Sequence, residues 1–389
     1  MRRRKFLKAG GAALIAPFLS FGQFRLFAES PATYSARCLD LVQRSLVIDM
    51  LNQFKLGAFP DVLEDRQQPT ARWWSHPETF THTDLARYKQ SGISIFHIGW
   101  GTGREDPFNG GVKVLQLWSE FIAHFSGDFA QVRKAEDFAA LKRQRKLGIL
   151  LGFQGSDHFR STDDVAFFRS LGQRVSQLTY NQSNRIGCGY EAPDTGLTAY
   201  GADIVARMNQ AGMAIDLSHC GPRTTLDAIT ASVRPVLFTH ANCKAIAAHA
   251  RNKSDEAIRR LAATGGVMGI TAVRMLARTS EPVTIENVLD HFDHVARLVG
   301  VEHVGIGSDM DLDGYDALPA PLRARMLTGY RNSAAFHGRG DIDGLNHPQR
   351  VFDLTEGLIR RGYSDGDIAG MLGGNFARAL TQIWRVTSV

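Results

Sequence analysis

The sequence predicts an α/β protein built as a TIM-like (β/α)8 barrel. Eight short apolar runs recur along the chain, separated by stretches with helical spacing, which is the order of a parallel sheet. The runs are apolar throughout rather than alternating, as strands buried on both faces are. No G-x-G-x-x-G follows an early run, which disfavours the runner-up, an open doubly wound sheet.

The elements follow in order. A helix is expected over Ser30–Gln43, then a first strand in Ser45–Met50. Residues 54–83 have no clean period and carry Pro60, Pro69, Trp73, Trp74 and Pro77. They read as a long loop over a pocket mouth, or as an insertion that packs its tryptophans on the body. Leu85–Ser91 is helical, Ile93–Trp100 is strand two, and Val112–Phe125 and Ala135–Lys146 are helical. Strands three and four are Leu147–Phe153 and Val175–Tyr180, with a helix over Asp163–Leu171 between them. Helix Tyr200–Gln210 leads to strand five, Met213–Leu217, and helix Pro222–Thr230 to strand six, Val236–Thr239. Helix Asp255–Ala263 precedes strand seven, Gly266–Ala272, and helix Ile285–Val299 precedes strand eight, His303–Ser308. The tail holds helices Gln349–Arg361, Asp365–Met371 and Phe376–Trp384. No internal repeat or composition shift divides residues 29–389, so they are expected to form one domain.

Charge separates the leader from this body. Arg2, Arg3, Arg4, Lys5, Lys8 and Arg25 precede any acidic residue, and these six positives equal the formal net charge of +6. The body is therefore balanced, and no nucleic-acid partner is expected from charge. Residues 1–28 read as a signal peptide. Arg3-Arg4-Lys5-Phe6-Leu7-Lys8 resembles the twin-arginine export motif, and the apolar run Ala9–Phe21 after it is short for a membrane span. Export to the periplasm and a mature chain without a transmembrane span are expected, with an uncleaved anchor as the competing reading. Cys38, Cys188, Cys220 and Cys243 form no CxxC, so no structural zinc knot or disulfide is assigned. Cys220 beside His219 reads better as a small buried residue than as a nucleophile.

In a barrel of this kind the chemistry stands at the C-terminal ends of the strands. Strand five ends on His219 and strand six on His240, a ligand type suited to zinc. The competing reading is a pair of rim histidines. Strand four ends on Tyr180 and strand eight on Asp309, which can serve as a general base or an amine partner. Arg251 follows strand six and can grip a carboxylate with two parallel hydrogen bonds. Ordinary loop ion pairs are the alternative for both. Asp309-Met-Asp311-Leu-Asp313-Gly314 copies the start of an EF-hand loop, but its twelfth position is Ala320 and a strand precedes it, so calcium is not expected there.

Several stretches together resemble the membrane (renal) dipeptidase family, peptidase family M19. They are Leu178–Asn181, Gly196–Gly201, Met208–His219, Phe238–His240, Arg251-Asn252, Val304–Asp309 and Gly373–Arg378. The resemblance runs from strand one to near the C-terminus. It implies a barrel of the metallo-dependent hydrolase type with a two-zinc site that cleaves dipeptides. By the same resemblance, His219 and His240 hold one zinc, Arg251 grips the substrate carboxylate, Asp309 lies near the substrate amine, and Tyr180 stands near the scissile carbonyl. The other zinc of the family depends on an Asp-Gly-His-x-Asp run after strand one and a bridging glutamate after strand three. Here those ligand positions carry Leu51, Gln53 and Gln154. At most one zinc is therefore expected, with Asp157, Asp309 or Tyr180 as candidate further ligands, and a metal-free site is a second expectation. Two alternatives to hydrolysis stay open: metal-free proton transfer or isomerisation on an amino-acid-derived molecule, and binding without turnover. A dipeptide-like small molecule is the expected partner, and a homodimer is left open.

Overall fold

The structure is a computed structural model that describes residues 23–24, 33–54, 79–101, 105–318, 320, 323–324 and 339–385. Apart from Gln23-Phe24, the leader lies outside the described residues, as do Pro60, Pro69, Trp73, Trp74 and Pro77.

A two-residue hairpin comes first, β1 (Gln23–Phe24) against β2 (Tyr34–Ser35). The helix expected from Ser30 starts instead at Ala36 and ends at Arg44. Ser35 caps it, its hydroxyl accepting from Cys38 N, and a capping residue needs extended backbone. Eight parallel strands then close a ring: β3 (Ile48–Asp49), β4 (Ile95–Trp100), β6 (Leu147–Phe153), β7 (Val175–Gln177), β8 (Ala214–Asp216), β9 (Leu237–Ala241), β10 (Val267–Ile270) and β11 (Val304–Ile306). β11 pairs back onto β3, which completes the barrel. Each of these strands falls within or overlaps one of the eight apolar runs. The sequence reading missed a short strand, β5 (Phe129–Gln131), which pairs with the first half of β6 while β7 pairs with its last residues.

Helices between the strands bury one face each. Asp163–Leu171, Asp255–Ala263 and Ile285–Val299 lie where their spacing puts them. His82–Gln90 starts within the stretch read as loop, because Thr81 and Asp84 form a reciprocal capping box there. The helix at Asp365 stops at Ala369, two residues short of the expected Met371, and a wide turn over Gly370–Gly374 follows.

One apolar layer fills the barrel. Ile48, Ile95, Leu150, Val175, Ala214, Leu237 and Val267 come from seven different strands and pack together, all fully buried. The eighth strand offers Gly305, where an added Cβ would stand 2.6 Å from the Phe376 ring. The C-terminal helix Asn375–Trp384 therefore seats Phe376, Leu380 and Ile383 against this layer. The polar residues Gln177, Asp216, Ser218 and Thr239 lie further along the strands, toward their C-terminal ends.

Candidate active site

The ends of β8 and β9 bring His219 and His240 together, with Nε2 to Nε2 at 2.9 Å. His219 is 8% exposed and His240 fully buried. Burial first, and the Arg251 charge second, push both imidazoles well below their ordinary pKa, so both are neutral near pH 7.

Their protons can be placed from the hydrogen bonds of the other ring nitrogens. Thr239 Oγ1 donates to Asp216 Oδ2 at 2.7 Å, because a carboxylate offers only acceptors. Its oxygen is then left to accept from His240 Nδ1 at 2.8 Å. Asn181 directs Nδ2 to Glu191, so its Oδ1 accepts from His219 Nδ1 at 2.6 Å. Both Nδ1 atoms carry the proton, and both Nε2 atoms present lone pairs to one point. That is a donor set for one borderline dication such as zinc. Among the described residues no third His, Cys, Asp or Glu gathers with the pair. Asp157, considered as a further ligand, is exposed and contacts Asn184 instead.

The positions assigned by resemblance to the other zinc are occupied differently. Leu51 is fully buried and has no donor atom. Gln53 Nε2 donates to Asp309 Oδ1 at 2.7 Å, and Gln154 Nε2 donates to Gly99 O at 2.9 Å. The chain ends that carry them are stitched across the barrel. Asp309 N donates to Leu51 O and Gln53 N to Met310 O. Asp49 accepts from Ser308 N and Oγ and meets Arg350, a buried cation, at 3.4 Å.

Three further groups face the histidines. The Tyr180 ring stacks on His219 at 4.3 Å and is 48% exposed, at the mouth. Arg251 is buried, its guanidinium donating to Ser218 O and, at 2.7 Å, to His240 O. Those two bonds leave three of its five N–H groups for a ligand. Asp309 sits in a left-handed turn at φ 56, a conformation that aspartate tolerates better than most residues. Burial raises its carboxyl to about 6, while the Gln53 hydrogen bond and the Arg251 charge pull the other way. The Asp309 charge is felt at both Arg251 and Tyr180.

Sequence reasoning missed Asp216, Thr239 and Lys253. Asp216 accepts four hydrogen bonds, from Ser218 N and Oγ and Thr239 N and Oγ1. Lys253 caps Leu217 O and Cys220 O from below, and burial lowers its ammonium to about 7. The signal available was a buried-type strand carrying an aspartate just before Leu-Ser-His. All four cysteines are free and buried, Cys220 included.

A family model described as membrane dipeptidase, peptidase family M19, matches residues 35–326 and 333–388. The chain belongs to the membrane dipeptidase family. Dipeptidase tcpJ of Claviceps purpurea is 27% identical over 82% of this chain and 72% of its own length. Dipeptidase verJ of Clonostachys rogersoniana is 26% identical over 90% of this chain and 88% of its own. A solved amidohydrolase from Pseudomonas aeruginosa is 26% identical, superimposes with a TM-score of 0.74, and is covered over 99% of its length and 89% of this chain. Membership bears out the resemblance and the barrel. Within this M19 dipeptidase-family chain no described helix is long and apolar enough to cross a membrane.

Proposed function

We propose that this chain is a hydrolase of dipeptide-like substrates that works with at most one zinc ion, held by His219 and His240. The observation that carries this is the contrast between the two halves of the pocket. One half has two neutral imidazoles with lone pairs on one point. The other half has a leucine and two carboxamides whose NH2 groups are spent on protein acceptors. A carboxamide brings no charge to hold a second dication beside the first. A two-nitrogen site is also sparer than the three protein ligands usual in catalytic zinc centres. Zinc here is therefore exchangeable rather than permanently built in.

When bound, the ion supplies Lewis-acid polarisation of the scissile carbonyl. The chain's own groups do the rest. Arg251, pinned by the carbonyls beside both histidines, presents its free N–H groups to the substrate carboxylate. Asp309 pairs with the substrate ammonium, and its raised carboxyl near 6 lets it take up or release a proton close to neutral pH. Tyr180, at the mouth over His219, covers the peptide from the solvent side and offers its phenol to the carbonyl.

A panel of dipeptides assayed with chelator and with added zinc tests this reading. Hydrolysis that needs zinc and is lost in His240→Ala supports it. Absence of cleavage for every dipeptide, with and without zinc, overturns it. We read the leader as a twin-arginine export signal to the periplasm. Its test is retention of an Arg3→Lys, Arg4→Lys double variant in the cytoplasm, and unchanged export would contradict it.

A further inference from the structure

We infer that Asp216 is a positioning residue that holds the His240 proton on Nδ1, and so keeps the His240 Nε2 lone pair open to a cation. The inference rests on the reading that the pair takes a metal, but its first test does not.

The argument starts from a distance. Two imidazole nitrogens 2.9 Å apart are at hydrogen-bond separation. Left to themselves, two neutral histidines would settle with one Nε2 protonated and donating to the other. That arrangement closes the pair. It requires one ring to give up its Nδ1 proton. For His240 the neighbour that decides is Thr239, whose hydroxyl can either accept from Nδ1 or donate to it.

Asp216 removes the choice. Its Oδ2 takes the Thr239 hydroxyl proton at 2.7 Å. Its Oδ1 takes the Ser218 hydroxyl proton at 2.6 Å and the backbone N–H groups of Ser218 and Thr239, both at 3.0 Å. Ser218 Oγ in turn accepts from His240 N at 3.1 Å. Every donor that could turn toward His240 Nδ1 is committed to a buried carboxylate on the neighbouring strand. Nδ1 keeps its proton and Nε2 stays bare. The hold on His219 is looser, because Asn181 is an amide that can reverse its donor and acceptor ends at the cost of its long 3.3 Å contact with Glu191. Asp216 and Thr239 therefore fix the tautomer of His240, which would accept from His219 rather than donate to it. This is the outer-shell role that carboxylates play behind ligating histidines elsewhere, transmitted here through one hydroxyl.

The test is nitrogen-15 NMR of the histidine rings in the metal-free protein at pH 8, followed by zinc competition titration with a chromophoric chelator. The wild type is expected to show His240 as the Nδ1–H tautomer. Asp216→Asn, which can donate to Thr239, is expected to convert it to Nε2–H and to weaken zinc about 10- to 100-fold. Thr239→Ser keeps the hydroxyl and is expected to preserve both readouts. Thr239→Val is expected to lose the fixed tautomer, and it serves as the second variant should Asp216→Asn fail to fold. An Nδ1–H tautomer that persists in both Asp216→Asn and Thr239→Val overturns the inference. So does an Nε2–H tautomer in the wild type. Wild-type protein that shows the expected tautomer and binds no zinc overturns the metal reading and leaves the positioning role standing.

Discussion

Gln53 donates from Nε2 to Asp309 Oδ1 at 2.7 Å, joining the ends of the first and last barrel strands. By family resemblance Gln53 stands where a carboxylate would hold zinc. A carboxylate there would face Asp309 with like charge unless a cation lay between them. The carboxamide needs no cation, because it supplies the donor itself. The carboxamide thus gives Asp309 a neutral partner that fixes its rotamer.

Removing that partner has a signed effect on pH dependence. The Gln53 hydrogen bond lowers the Asp309 carboxyl against the burial that raises it to about 6. In Gln53→Leu the carboxyl should therefore move higher. The acid limb of the kcat/KM profile is expected to shift to higher pH, with a rise in KM for dipeptides. An unchanged limb would separate Asp309 from the titration.

Arg251→Lys should be costly although charge is kept. A lysine has no planar fork to satisfy Ser218 O, His240 O and a carboxylate at once. Loss of charge-assisted hydrogen bonding is worth roughly 1.5–3 kcal/mol, so kcat/KM should fall by about one to two orders of magnitude. A dipeptide amide lacking the terminal carboxylate should lose far less between wild type and variant.

Stability should fall in mild acid. Burial holds His158 at about 3 and His291 at about 4, and pushes His219 and His240 down as well. Such groups stay neutral in the fold while the unfolded chain takes up protons below about 6.5, so their contribution is full above that pH and is lost as pH falls. His158 and His291 each cost about 2 kcal/mol between pH 7 and pH 5. Asp309 and Asp341, both raised to about 6, act oppositely, stabilising by about 1 kcal/mol each over the same interval. The histidines outweigh them. Urea midpoints measured at pH 7 and pH 5 should show the drop, and an equal or higher midpoint at pH 5 would contradict it.

The barrel was legible because burial on both faces writes most of its strands as largely apolar runs, as in Leu147–Phe153. β5 was not, since Phe129-Ala130-Gln131 makes no uninterrupted apolar run and pairs with only part of β6. His219, His240, Tyr180, Arg251 and Asp309 were singled out by position at or after strand ends; Tyr180 and His240 contact His219, Arg251 bonds the His240 carbonyl, and Asp309 bonds Gln53. Asp216 and Thr239 were missed for a physical reason. They lie inside strands, where sequence shows an apolar run with one or two polar members, and only the fold shows that those members bond to each other. That Gln53 is the partner of Asp309 likewise depends on β3 and β11 being neighbours, which closure of the barrel brings about.

The most direct measurement of the central claim is zinc per chain in the wild type and in a Leu51→His, Gln53→Asp, Gln154→Glu triple variant, each dialysed against micromolar zinc and analysed by mass spectrometry for metals. The account predicts no more than one equivalent in the wild type and a gain of one in the variant. Two equivalents in the wild type would contradict it.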